Sequence, residues 1–147
     1  MEDFFEPMKV NQTEIVEFLQ REFPQSLEKC RIDHVAEKSS VVTYLVGDSE
    51  LRPGGTVSGP TMMTVADLAL YVAILAEIGV VALAVTNQMN INFLRKPAGH
   101  QNLRGECRLL KVGQSLVYGE VWVYSETVDE PVAHITGSYS IPRGDMN

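Results

Sequence analysis

Residues 56–75, TVSGPTMMTVADLALYVAIL, carry a single charged side chain, Asp67. The pattern over 60–78 is helical and almost wholly apolar, and a helix that is hydrophobic on every side has to be enclosed rather than laid on a surface. Both ends agree with this reading. Pro60 suits a first helical turn, where its missing N–H costs nothing, and Gly79 suits the position just past the end. The run 68–85 is 18 residues long with only Glu77 charged, near the minimum for a membrane span. Glu77 inside it, the stop at Gly79 and the strand-like VVALAV favour a buried core helix. A carboxylate in such a helix loses hydration, so Asp67 calls for hydrogen bonds, a partner charge or a function.

The flanking sequence supplies what encloses the helix. A short amphipathic helix opens the chain, capped by Thr13, with Ile15, Val16, Phe18 and Leu19 as its apolar face and Pro24 as its end. CRIDHVAEK and SSVVTYLVG are rich in β-branched residues and read as strands. DSELRPGGTVSGP, broken by prolines and glycines, reads as loop. Beyond the helix the period changes to two. Met89, Ile91 and Phe93 alternate with Gln88, Asn90 and Asn92. Leu103, Cys107 and Leu109 oppose Arg104, Glu106 and Arg108. Val117, Val121 and Val123 alternate with Tyr118, Trp122 and Tyr124, and Ala133, Ile135, Tyr139 and Ile141 with His134, Thr136, Ser138 and Ser140. KVGQ and TVDEP are turn-length, so consecutive strands pair antiparallel. The result is an α+β domain over residues 1–147, with 1–25 as an N-terminal helical segment and an antiparallel sheet of five to six strands wrapped around the long helix. Large residues on both faces of 116–126 call for a second subunit.

A net charge of −7 argues against a general nucleic-acid binder. MEDFFEPMKV has no basic segment leading into an apolar run, so no leader is read there. Cys30 and Cys107 are far apart with no CxxC neighbour, which indicates neither a disulfide framework nor a zinc site and fits a reducing cytoplasmic setting. His34, His100 and His134 are scattered. Arg95, Lys96, Arg104, Arg108 and Lys111, five of the 12 basic residues, fall within 17 positions. They form either a solvated sheet edge or a grip on phosphates, for which arginine's fork is suited.

TVSGPTMMTVADLALYVA resembles the signature of the PaaI-like acyl-CoA thioesterases of the hotdog fold, in which a G-x-x-H-G-G turn leads into an apolar helix carrying an acid. NQMNINFLRKP resembles the strand that follows, and the element order agrees. Gly55 falls on the glycine before the turn, Ser58 on the histidine, Gly59 on the first following glycine, Pro60 on the second and Asp67 on the acid. Thr86 lies where some members place a Ser or Thr that orients water, and Arg52 where many have Asn or Gln near the thioester. The histidine and the amide at 52 are both absent here.

The resemblance implies hydrolysis of an acyl-CoA thioester. Asp67 would act as general base or nucleophile, and the Gly59 amide at the helix N-terminus would donate to the oxyanion. Pro60 cannot donate. Thr64 and Tyr71, at i−3 and i+4 from Asp67, would hydrogen-bond the carboxylate or line the acyl pocket, or simply pack. Ser58 reads as a helix cap beside the substrate. Arg52, Arg95 and Lys96 would bind it, the latter two at the coenzyme A phosphates. No cofactor is implied beyond the coenzyme A of the substrate, and neither a metal, a nucleic acid nor a membrane is a partner. The family's assembly, a homodimer or a homotetramer of paired hotdogs, implies sites between subunits. Three other readings stand beside this one: a non-catalytic acyl-CoA sensor, a structural oligomer in which Asp67 pairs with an arginine such as Arg52, and a hotdog dehydratase, whose paired Asp and His are not visible.

Overall fold

The computed structural model describes residues 8–80 and 83–142. The leader reading for the first residues falls mostly outside these, as does the middle of VVALAV. Helix α1 (Gln12–Glu22) buries Ile15, Phe18 and Leu19. Its cap is Asn11 rather than Thr13. The Asn11 side chain accepts from the Glu14 N–H at 2.9 Å, and the Glu14 carboxylate accepts from the Asn11 N–H at 2.9 Å. This reciprocal box satisfies two helix-end donors two residues earlier than the sequence suggested. A 3-10 turn at Pro24–Leu27 follows.

Strands β1 (Cys30–Ala36) and β2 (Ser39–Tyr44) form a hairpin. The stretch read as loop is more regular than that. A 3-10 turn at Asp48–Glu50 leads into a small hairpin of β3 (Leu51–Arg52) and β4 (Thr56–Val57). Helix α2 (Gly59–Ile78) comes next, then β5 (Val85–Phe93), β6 (Leu103–Val112), β7 (Leu116–Ser125) and β8 (Ala133–Ser140). The main sheet has six antiparallel strands in the order β1-β2-β6-β7-β8-β5. It curls around α2, the arrangement of a hotdog fold.

The reason is hydrophobic enclosure. From Val65 to Ala76 every α2 side chain except Asp67 is buried, against Val42, Leu103, Val117, Val121 and Ile135 of the sheet. The helix is long and apolar enough to cross a membrane, but 72% of that window is buried within the protein. Close approach needs small residues beneath it. A Cβ at Gly119 would stand 2.9 Å from Leu70 Cδ2, and one at Gly137 3.1 Å from Leu70 Cδ1.

The alternations expected of β6, β7 and β8 hold: Leu103, Cys107, Leu109, Val117, Val121, Val123, Ala133, Ile135 and Tyr139 all face the core. β5 departs from its expected half-burial. Met89 and Ile91 are partly covered, but Phe93 is 54% exposed, because β5 is an edge strand of the sheet, beyond most of the helix.

Candidate functional site

Asp67 is the break in the buried run of α2, and it is half-buried. Its carboxylate is met by two hydroxyls. Thr86 Oγ1 donates to Asp67 Oδ1 at 2.8 Å and Tyr139 Oη donates to the same oxygen at 2.7 Å. Thr86 and Tyr139 are directly opposed across the β5–β8 ladder, where the register shifts between Thr86 and Gln88. Such a bulge re-aims side chains at a sheet edge. Burial, and then the Asp67 charge, push the Tyr139 hydroxyl well above the ordinary phenol range, so it remains a donor. Among the described residues no ion pair reaches Asp67. The arginine partner weighed from sequence is therefore not found, and Arg52 lies elsewhere.

A cleft of about 350 Å³ opens beside Asp67, lined by Phe23, Tyr44, Leu68, Tyr71 and Tyr139 among others. The Tyr71 and Tyr139 rings stack, with centroids 5.8 Å apart and planes 18° apart, and Phe23 meets Tyr71 edge-on at 6.5 Å. Thr64 lines this cleft but does not serve the carboxylate, since its hydroxyl donates to the Pro60 carbonyl at 3.0 Å. A more open face on the other side of Asp67 is bounded by Glu22, Val85 and Thr86.

The second constellation sits at the N-terminus of α2. Ser58 is the cap: its Oγ accepts from the Thr61 N–H at 3.3 Å and lies 2.7 Å from Thr61 Oγ1. Among the described residues nothing accepts from the Gly59 N–H, as expected of a first-turn amide. The Phe93 ring lies so close over Gly59 that a Cβ there would stand 3.1 Å from it. Pro60 is exposed. Arg52, Gly59, Phe93, Arg95, Lys96 and Pro97 line a cleft of about 430 Å³. Its walls meet where the 97–101 loop crosses the β3–β4 turn. A side chain at Gly99 would fall inside the Gly55 carbonyl oxygen, so only glycine permits that crossing. Arg95 is steadied by donating to the Pro131 carbonyl.

The basic cluster read from sequence therefore divides. Arg95 and Lys96 join Arg52 at this cleft, while Arg104, Arg108 and Lys111 on β6 line neither cleft. Arg104 pairs with Glu106 at 2.7 Å and lies over the Tyr124 ring. His34 and His100 are exposed and line neither cleft. His134 Nε2 lies 2.8 Å from Glu120 Oε1 on the outer sheet face, against Trp122. Cys30 and Cys107 are buried free thiols, and burial pushes them up to about 11 and about 12. Among the described residues no group of three or more His, Cys, Asp or Glu could hold a metal.

Sequence reasoning missed three contributors. Tyr139 was read as a core residue, although a hydroxyl on a core-facing strand position must find a partner. Phe93 gave no sign of covering Gly59. Glu50 was lost in the stretch read as loop. The Glu50 carboxylate is 7% exposed and accepts from the Gly47 N–H at 2.6 Å, the Ser49 hydroxyl at 2.8 Å and the Tyr44 hydroxyl at 3.1 Å, with Lys29 Nζ at 3.3 Å. Its backbone carbonyl accepts from the Ser58 N–H at 2.9 Å, so this knot fixes the turn that presents Gly59.

Burial alone would raise the Glu50 carboxyl, but the four donors outweigh it and hold it down at about 2, against 4.5 when free. A depressed carboxyl stabilises the fold above its free value and loses that contribution as pH falls toward the folded value. Glu50→Gln is therefore expected to lower stability at pH 7 by on the order of 2 kcal/mol, roughly 4–8 °C in Tm. Melting curves of wild type and variant should converge between pH 4.5 and about 2.

Comparison with known proteins bears on this architecture. The family model of the thioesterase superfamily matches residues 54–132, from the turn before α2 to the threshold of β8. The chain belongs to the thioesterase superfamily. A candidate thioesterase from Silicibacter sp. TM1040 is similar over 92% of this chain and 94% of its own, at 39% identity and a TM-score of 0.85. The E. coli PaaI protein from the phenylacetic acid degradation operon shares the fold over 90% of this chain and 93% of its own, at 19% identity and a TM-score of 0.77. A hypothetical thioesterase protein from Streptococcus pneumoniae TIGR4, solved with coenzyme A, does so over 87% and 96%, at 20% identity and a TM-score of 0.73. No curated protein matches the sequence. The resemblance read from TVSGPTMMTVADLALYVA thus led to the right superfamily and fold.

Proposed function

We propose that this member of the thioesterase superfamily hydrolyses acyl-CoA thioesters, with Asp67 as general base or nucleophile and the Gly59 amide as oxyanion donor. The observation that carries the reading is Asp67 itself, a half-buried carboxylate held by two hydroxyls, free of any cation among the described residues, and opening on an apolar cleft. As base, it would take a proton from water while the oxygen attacks the thioester carbon. The carbonyl oxygen would become an oxyanion at the Gly59 N–H, and C–S cleavage would release the acid and the coenzyme A thiol.

Asp67 and Gly59 are eight residues apart on α2, about 12 Å along its axis. One carbonyl cannot touch both within a single chain. A second copy resolves this. In each chain Thr86, near one end of β5, reaches Asp67, and Phe93, at the other end, covers Gly59. If β5 pairs with its counterpart antiparallel across a two-fold axis, residue 86 of one chain comes beside residue 93 of the other. Asp67 then meets the partner's Gly59, giving two composite sites per homodimer. β5 is one of the two edges of the main sheet, and Val85, Phe93 and Leu94 on or beside it are exposed, which supports the pairing. Pairs of such dimers would give the homotetramer that the resemblance implies as the alternative to a homodimer.

In this arrangement the cleft holding Arg52, Arg95 and Lys96 takes the coenzyme A phosphates. The S. pneumoniae neighbour was solved with coenzyme A, which supports that ligand class. The acyl group occupies the cleft beside Asp67, where Phe23, Tyr71 and Tyr139 favour a compact or aromatic group. Removing both Arg95 and Lys96 charges is expected to raise KM for acyl-CoA roughly 10–100-fold. The same change should leave KM unaltered for truncated thioesters that lack phosphate.

Ser58 and Arg52 in place of the family's His and amide favour a second reading, a non-catalytic acyl-CoA binder. Free-thiol release measured over a panel of straight-chain and aryl acyl-CoAs separates the two. Turnover on any of them supports the hydrolase. Saturable binding without thiol release defeats it and favours the binder.

A further inference from the structure

Tyr139 has a role that the overall reading of the site does not assign. Its hydroxyl donates to Asp67 Oδ1 at 2.7 Å and lies 3.2 Å from the Asp67 backbone carbonyl, so one O–H reaches both ends of the same residue. The ring behind that hydroxyl is 4% exposed and stacked on Tyr71, which leaves the hydroxyl little freedom to move. Thr86, its cross-strand partner, donates to the same oxygen. Two donors therefore converge on Oδ1, while among the described residues none reaches Oδ2. Asp67 lines the clefts on both sides of this point.

From this geometry we infer that Tyr139 is a positioning residue for Asp67, fixing the carboxylate rotamer through Oδ1 so that Oδ2 is the oxygen that meets water or the thioester carbon. The inference rests on Asp67 being the reacting acid. Physically, a carboxylate on a helix rotates about its two side-chain torsions, and a loosely held base spends most of its time out of line with the attacked carbon. Thr86 alone cannot hold it as well, since its hydroxyl sits on the exposed edge strand. Tyr139 is rooted in β8, between β7 and β5, and gives the carboxylate a rigid reference. Tyr139 is not among the residues that line the Arg52, Arg95 and Lys96 cleft, and Tyr139→Phe keeps the ring that faces the acyl group, so coenzyme A binding should not depend on the hydroxyl.

The test is a double-mutant cycle of Tyr139→Phe and Asp67→Asn, with kcat and KM measured for each variant on the best acyl-CoA of the panel. Tyr139→Phe alone is expected to lower kcat roughly 10–100-fold with KM within about twofold. Asp67→Asn is expected to lower it far more, and the double variant to be no slower than Asp67→Asn alone, because a residue acting through Asp67 has nothing left to position. A Tyr139→Phe rate equal to wild type overturns the inference, as does a double variant slowed again by the full single-variant factor, which would mark a general structural role. If Asp67→Asn itself keeps the wild-type rate, the hydrolase mechanism falls and the inference falls with it. Collapse of Asp67→Asn alone leaves the mechanism standing and removes only the role of Tyr139. One further measurement needs no variant at 139. The Tyr139 hydroxyl proton should exchange slowly and resonate downfield in the wild-type NMR spectrum and move in Asp67→Asn, and its absence from the wild-type spectrum also overturns the inference.

Discussion

Asp67→Asn is expected to slow thiol release from acyl-CoA on the order of 10³-fold, with KM little changed and the melting temperature preserved. The magnitude follows from what a positioned base or nucleophile contributes to such a step. Asparagine is the informative replacement. Its Oδ1 still accepts from the Thr86 and Tyr139 hydroxyls, so the hydrogen bonds at 2.8 and 2.7 Å survive while the capacity to take a proton or attack carbon is lost. Alanine would instead strand both hydroxyls, one of them on a side chain only 4% exposed, and would mix a folding defect with the kinetic one. Full activity in a well-folded Asp67→Asn would end the hydrolase proposal and leave the fold assignment intact.

A second expected result concerns assembly. Gly59→Val puts a branched side chain where a carbonyl has to approach the amide, and is expected to lower kcat on the order of 10²–10³-fold. The Phe93 ring against which it would press is 54% exposed within a single chain, so each chain should still fold. Mixed with Asp67→Asn and allowed to exchange subunits, the two inactive proteins should regain about a quarter of wild-type activity. Half of the dimers are then heterodimers, and each holds one site made of an intact Asp67 and an intact Gly59. A site contained within one chain would regain nothing. Because the two residues stand about 12 Å apart along α2, the composite arrangement is the one that lets a single carbonyl reach both.

The residues legible from sequence were those whose chemistry is local. Ser58 as a cap, Pro60 in the first turn and Gly79 at the end depend on backbone hydrogen bonding within one helix, and each stands where the pattern put it. The inward alternation of β6, β7 and β8 depends only on a period of two and one buried face. Thr13 failed as a cap because Asn11 could build a reciprocal box with Glu14, a competition between two nearby polar residues that composition alone does not decide. Phe93 failed as an inward residue because strand order, which put β5 at the edge, is a long-range property.

What the sequence determined by itself is the enclosed helix and the sheet that must wrap it, since a rod that is apolar on nearly every side has no other stable setting in water. It also fixed the acid on that rod and the turn ahead of it. Only the tertiary structure decided which groups meet that acid. Tyr139 is 72 residues away in the chain and Thr86 is 19, and the β5–β8 ladder brings them to one oxygen. The same is true of the division of the basic cluster and of the Glu50 knot behind Gly59. Hydrogen bonds and charges act over a few ångströms, and strand order decides which distant side chains come within that range.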